Sequence, residues 1–228
     1  MTFPFVSFAA TALVAMVAAP VAGWSDEPRF NLARGLGSEF EKICAGMLQS
    51  FACARAIESR QLSRGVRGIS RRGAVLVIHT RSGRVVALED TEQEGSEQSF
   101  SYLKPMTRIG FHLVHVQYSE WIEYLLVDMS SGAQFRIEDV PILSPDGAHF
   151  ATASFDPDET GVSSLQIWRL APGGPQLEWR HEPKEWGPAS PVWRSATHLE
   201  VAKLDAQWNR IGTTVVALGH SGWELGDR

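Results

Sequence analysis

LVIHTRSGRVVAL at residues 76–88 and LLVDMSSGAQFRI at 125–137 decide the fold: each is an apolar run, a turn ending in glycine, and a second apolar run. IWRLAPGGPQLEW (167–179) and VVALGHSGWEL (215–225) repeat the form. β-Branched and aromatic residues set between Gly, Ser, Asp and Pro are hairpin signals. The turn glycines Gly83, Gly132, Gly174 and Gly222 lie 49, 42 and 48 residues apart. A period in the forties with paired strands is the size of a four-stranded propeller blade. Further strand-like segments precede three of the hairpins, at 107–117 and 121–127, 144–154, and 191–203. The first hairpin has no such pair, because a helical region takes its place. The expected fold is mainly β: a propeller-like array of about three and a half antiparallel four-stranded units over 73–228, preceded by an N-terminal helical segment.

That segment, with a basic linker, spans 24–72. Ser38 and Glu41 read as a capping box. Phe40, Ile43, Cys44, Met47, Leu48 and Phe51 then fall on one face of an amphipathic helix. Cys44 and Cys53 are the only cysteines. On a straight helix they would face opposite sides, roughly 13 Å apart, too far for a bridge. Two readings stay open: a helical hairpin broken near Gln49-Ser50 and stapled by a disulfide, or one helix carrying two separate thiols.

Residues 1–23 carry no charged side chain and run apolar from Phe3 to Ala22. Pro20 and the small residues before Trp24 read as a signal peptide cleaved after Gly23. The missing basic residue ahead of the apolar run leaves a competing reading, an uncleaved anchor. Cleavage predicts a periplasmic or secreted protein with no stable membrane span. The formal charge of −5 argues against non-specific nucleic-acid binding.

Ser144-Pro145-Asp146-Gly147 followed by the strand-like 148–154 resembles the SPDG-plus-strand signature of TolB-type periplasmic β-propellers. Leu126, Asp128 and Gly132 match the L-x-D-x-x-x-G hairpin that precedes it there. LQIWR at 165–169 is similar to the WD40 strand that ends in Trp-Asp, with Arg169 in place of the aspartate. The resemblance covers about residues 107–203 and implies an exported propeller, a fold that hosts many unrelated activities.

No motif of strong chemistry stands out. Ser101 and Lys104 have S-x-x-K spacing, but in a strand-like stretch without the partners that chemistry needs. Gly219-His220-Ser221-Gly222 lacks the last glycine of a nucleophile elbow and reads as a turn. His112 and His115 point to opposite faces of a strand, a poor metal pair. Asp156, Asp158 and Glu159 share a loop without calcium-site spacing. No cofactor or metal is expected. The candidates for a ligand or partner surface are Trp186 and Trp208, in loop-like contexts, and the basic run with Arg64, Arg67 and Arg71. The function read from these features is an exported, non-enzymatic binding protein that meets a protein or glycan of the cell envelope. The alternative is an envelope hydrolase acting on a glycan or ester.

Overall fold

The computed structural model describes residues 32, 35–47, 49–93, 97–119, 121–157 and 163–226. The segment 1–23 read as a signal peptide, and Leu48, Asp158 and Glu159, lie outside the described residues.

The chain forms four antiparallel sheets in which every strand pairs with its neighbour in sequence. The first holds β1 (Ile69–Arg72), β2 (Val75–His79) and β3 (Val85–Glu89). The second holds β4 (Gln98–Met106), β5 (Phe111–Tyr118), β6 (Ile122–Asp128) and β7 (Gln134–Ile137). The third runs from β8 (Ile142–Leu143) through β9 (His149–Ser154) and β10 (Ser164–Ala171) to β11 (Gly174–His181). The fourth is β12 (Gly187–Ser195), β13 (His198–Leu204), β14 (Arg210–Gly219) and β15 (Gly222–Gly226). Three units of four strands and one of three give the propeller-like array expected from the repeat. As expected, the first hairpin lacks the pair of strands that precedes the others; one strand, β1, stands ahead of it. Its sequence, Ile-Ser-Arg-Arg, carries one apolar residue and gives no strand pattern.

Alternation along each strand divides its side chains between two cores. Leu76, Ile78, Val86 and Leu88 of the first sheet meet Tyr102, Val114 and Val116 of the second. On the opposite face of the second sheet, Leu113, Tyr124 and Leu126 pack with Phe150 of the third. Leu165 and Ile167 of the third meet Leu199, Val201, Val216 and Trp223 of the fourth. Four sheets thus share three cores, and among the described residues no core joins the fourth sheet to the first. The array is open.

Two turn glycines fix how closely the sheets approach. Gly132 has φ +77, and a Cβ there would come 2.9 Å from the Val86 side chain. At Gly174, with φ +116, a Cβ would meet the Phe135 ring at 2.2 Å. Only glycine suits both the left-handed backbone and the contact.

The helical region breaks where a disulfide requires it. Helices α1 (Ser38–Cys44) and α2 (Ser50–Ser63) flank residues 45–49, and Cys44 and Cys53 are bridged across a Cα separation of 4.9 Å. Gly37, not Ser38, is the N-cap of α1, and no side-chain cap forms. Ser50 likewise does not cap α2; its hydroxyl donates to Gln117 Oε1 at 2.9 Å. The break also takes Phe51 off the apolar face, leaving it exposed under the Arg55 guanidinium. Phe40, Cys53, Ala54 and Ile57 complete the core between the second and third sheets, so the helices cap the array at its centre.

Candidate functional site

The arginines singled out by their clustering have unlike surroundings. Arg71 donates to both oxygens of Glu58, at 2.6 and 2.9 Å, and to Asp90 at 3.0 Å. Arg55 pairs with the same Asp90, and both guanidinium groups donate to the Phe100 carbonyl. The carboxylates in turn accept backbone N–H groups, Phe100 on Asp90 at 2.8 Å and Tyr102 on Glu58 at 2.7 Å. These four side chains occupy the hydrogen-bonding edge of β4, as another strand would, and close an edge that would otherwise invite pairing. Arg64 reaches Glu39 at 2.9 Å on the surface, and Arg67 is exposed in the loop before β1.

Trp186 and Trp208 are each half-buried. Lys203 Nζ stands 5.1 Å over the Trp186 ring and His181 lies 6.0 Å away. Trp208, in a turn at φ +67, packs on Phe155 at 4.8 Å. The most exposed tryptophan of the described residues is Trp121, at 60%, just before β6 and tilted against Tyr118 at 4.6 Å.

A cleft of about 220 Å³ opens where β6 and β7 of the second sheet face β10 and β11 of the third. Ile137 and Trp168 form its floor, where Trp168 Nε1 donates to Gln166 Oε1 at 3.0 Å and the indole stacks on Phe150. One rim carries Arg136 and Glu123, paired with each other and both bonded to the Tyr118 hydroxyl. The other carries Arg180 and Glu138, paired at 2.8 Å, with Leu177 45% exposed beside them. Partial desolvation works against the charged Arg180, but bonds from Glu182 and Glu138 outweigh it and hold the guanidinium more firmly protonated. The cleft therefore offers both signs of charge around an aromatic and aliphatic floor, the composition of a recognition site.

Other buried polar groups stand apart from it. Ser101 and His115 oppose each other on β4 and β5, and among the described residues neither the hydroxyl nor either ring nitrogen has a hydrogen-bond partner. Desolvation, with a smaller push from Arg55, lowers the His115 imidazole to about 4. A bulge after Tyr102 sets Lys104 opposite Leu113, on the same face as His115. The bulge thereby brings Ser101 and Lys104, which regular alternation would send to opposite faces, onto one face of β4. Lys104 nevertheless donates to the Leu36 carbonyl at 2.9 Å rather than to Ser101. Asp139, in the crossover to β8, accepts its own Val140 N–H, and burial raises its carboxyl to about 7. It lines no part of the cleft.

The SPDG turn is held within itself: Ser144 donates to Asp146 at 2.6 Å, and Asp146 accepts the Ala148 N–H at 3.1 Å. His112 bonds to the Tyr102 hydroxyl at 3.1 Å on one face of β5, while His115 lies against Tyr124 on the other.

The cleft residues escape a reading along the chain because β6, β7, β10 and β11 each supply only one or two of them, and Glu138 comes from the bend after β7. The signal within reach was charge at the end of an outer strand, Arg136 in β7 and Glu138 in the bend just after it, on either side of Ile137. No known protein family matches the chain, and no curated protein matches it.

Proposed function

We propose that this chain is an exported, non-enzymatic binding protein of the bacterial cell envelope, and that it takes its partner at the cleft between the second and third sheets. The carrying observation is the pairing of two arginine–glutamate rims around Trp168 and Leu177, with the exposed Trp121 packed on Tyr118, whose hydroxyl bonds to the Glu123–Arg136 rim. Exposed tryptophan and arginine beside an apolar floor are what interfaces concentrate their affinity in. A Cys44–Cys53 bridge is at home in an oxidising compartment, which supports export, as does the apolar leader-like segment 1–23. The stacking of sequential sheets supports kinship with TolB-type or WD40-like propellers. Among the described residues no helix is long and apolar enough to cross a membrane.

A glycan or ester hydrolase would need a carboxyl free to move a proton at the cleft. Glu123 and Glu138 there each hold a guanidinium group, which favours holding a ligand over transforming one.

The test is retention from envelope extract on the immobilised protein, compared with Trp121→Ala and Leu177→Asp. The proposal expects one protein or glycan retained in stoichiometric amount by the wild type and at least tenfold less by either variant. Equal retention by all three, or none by the wild type, contradicts it.

A further inference from the structure

A strand at the edge of a sheet exposes unpaired backbone groups, and several edges of this array are defended against further pairing. The arginine–carboxylate quartet and Pro105 close β4, β11 carries Pro175, β12 carries Pro188 and Pro191, and β8 is two residues long. Strand β3 has no such device. It runs Val-Val-Ala-Leu-Glu without a proline or a bulge, and its one charge comes last. Thr80 N–H donates to the Arg84 carbonyl at 2.9 Å and Asp90 N–H to the Ala74 carbonyl at 3.0 Å. The even-numbered residues of β3 therefore turn their backbone groups to β2, and Val85, Ala87 and Glu89 turn theirs outward. Among the described residues nothing bonds to those outward N–H and C=O groups. A groove of about 370 Å³ lies along this edge, between residues 84–87 and residues 131–134 of the second sheet's hairpin. It shares no lining residue with the cleft between the second and third sheets.

We infer that β3 is a docking edge for an extended peptide segment of a partner protein, which adds to the first sheet as an antiparallel strand. The free stretch is closed at both ends, and that sets the length of the segment. At one end stands the Gly83 turn. At the other, Thr91 exchanges both backbone hydrogen bonds with Gln98, at 2.8 and 3.0 Å. About six residues of an added strand fit between them. A second copy of this chain does not fit, because β3 paired with another β3 about Ala87 would drive the copy's Gly83 turn onto Thr91. Side chains of the added strand alternate between two faces. One set lies over residues 131–134 beside the buried Val86, where Ser131, Gly132 and Ala133 leave room for aliphatic groups. The other set stands in water beside Val85, Ala87 and Glu89. Charge fixes the direction: Arg84 donates to the Ser131 carbonyl at 3.2 Å, and among the described residues neither Arg84 nor Glu89 has an ion-pair partner. The segment is thus aliphatic toward the groove, basic where it meets Glu89 and acidic where it meets Arg84.

The probe is the end-capped peptide Lys-Val-Thr-Val-Thr-Glu, titrated into the whole folded chain and followed by the backbone amide NMR signals of Val85, Ala87 and Glu89. In the antiparallel register its first, third and fifth residues exchange hydrogen bonds with Glu89, Ala87 and Val85. The expected result is saturable binding with a dissociation constant below about 1 mM. Methylating the backbone nitrogens of its third and fifth residues should weaken binding at least tenfold, and methylating those of its second and fourth should not. Ala87→Pro removes one outward N–H and no ladder bond, and should also weaken binding at least tenfold. Circular dichroism and melting temperature confirm that this variant is folded, while the methylated peptides test the wild type directly. No saturable binding, equal affinity for the two methylation patterns, or a folded Ala87→Pro that binds like the wild type would overturn the inference.

Discussion

Two sets of arginine and carboxylate side chains lie on this array, and they do opposite things. Arg55, Glu58, Arg71 and Asp90 sit at the inner edge of the second sheet, largely out of water, and bind backbone groups of Phe100 and Tyr102. Glu123, Arg136, Glu138 and Arg180 sit on the second and third sheets around a cleft, and are on the whole more exposed. The inner set has committed its donors and acceptors to the chain itself. The outer set faces water and keeps hydrogen-bonding capacity for something else. Residue type and local clustering do not separate the two. What separates them is whether a strand edge lies within reach, and only the three-dimensional arrangement shows that.

Breaking the inner set should have the largest effect. Arg71→Met leaves Glu58 and Asp90 short of a partner in a poorly solvated place, which costs about 3–5 kcal/mol. For a chain of this length that is a fall of about 10 °C or more in melting temperature, read by differential scanning calorimetry. An unchanged melt would mean that the β4 edge does not depend on the quartet.

Acid sharpens the comparison, because Arg55 of the inner set also faces His115. In the unfolded chain this histidine takes up a proton near 6.5, and in the folded chain only near 4. Its lowered value means that its contribution is complete above about pH 6.5 and is lost progressively as pH falls toward 4. The loss amounts to about 3 kcal/mol. Denaturant melts at pH 7 and pH 4 should show that loss in the wild type relative to His115→Leu. Parallel pH profiles for the two proteins would contradict the placement of a neutral His115 in the core.

Reduction of the Cys44–Cys53 bridge comes next. The bridge closes a loop of nine residues, so chain entropy assigns it about 2–3 kcal/mol. Reductant should lower the melting temperature by several degrees. A reduced protein that melts with the oxidised one would show that packing of Phe40 and Ile57 alone holds the helical hairpin.

Much of the frame can be read along the chain. The four glycine-turn hairpins appear where the apolar runs place them, and the helix breaks between Cys44 and Cys53, one of two geometries the spacing allowed, over residues 45–49 ahead of α2. Strand β4 is harder to see. Its sequence, QSFSYLKPM, holds serines, a lysine and a proline, and Pro105 is tolerated because β4 is an edge strand. Arg71 reads as a surface charge until the strand edge it serves is known. Trp186 and Trp208 look loop-borne, yet neighbouring rings and a lysine cover them, while Trp121 projects. The cleft is the least legible feature, since four strands from two sheets meet to make it and no segment carries its pattern.

The smallest expected change in stability belongs to the outer set, and it carries the central claim. Arg136 is exposed and its ion pair is screened by water, so Arg136→Met should alter stability by less than about 1 kcal/mol. The decisive measurement pairs melting temperature with retention of the envelope partner for Arg71→Met and Arg136→Met. The account predicts a large fall in melting temperature for Arg71→Met. For Arg136→Met it predicts a near-native melt with at least a tenfold loss of retention. An Arg136→Met protein that melts and binds like the wild type would contradict it.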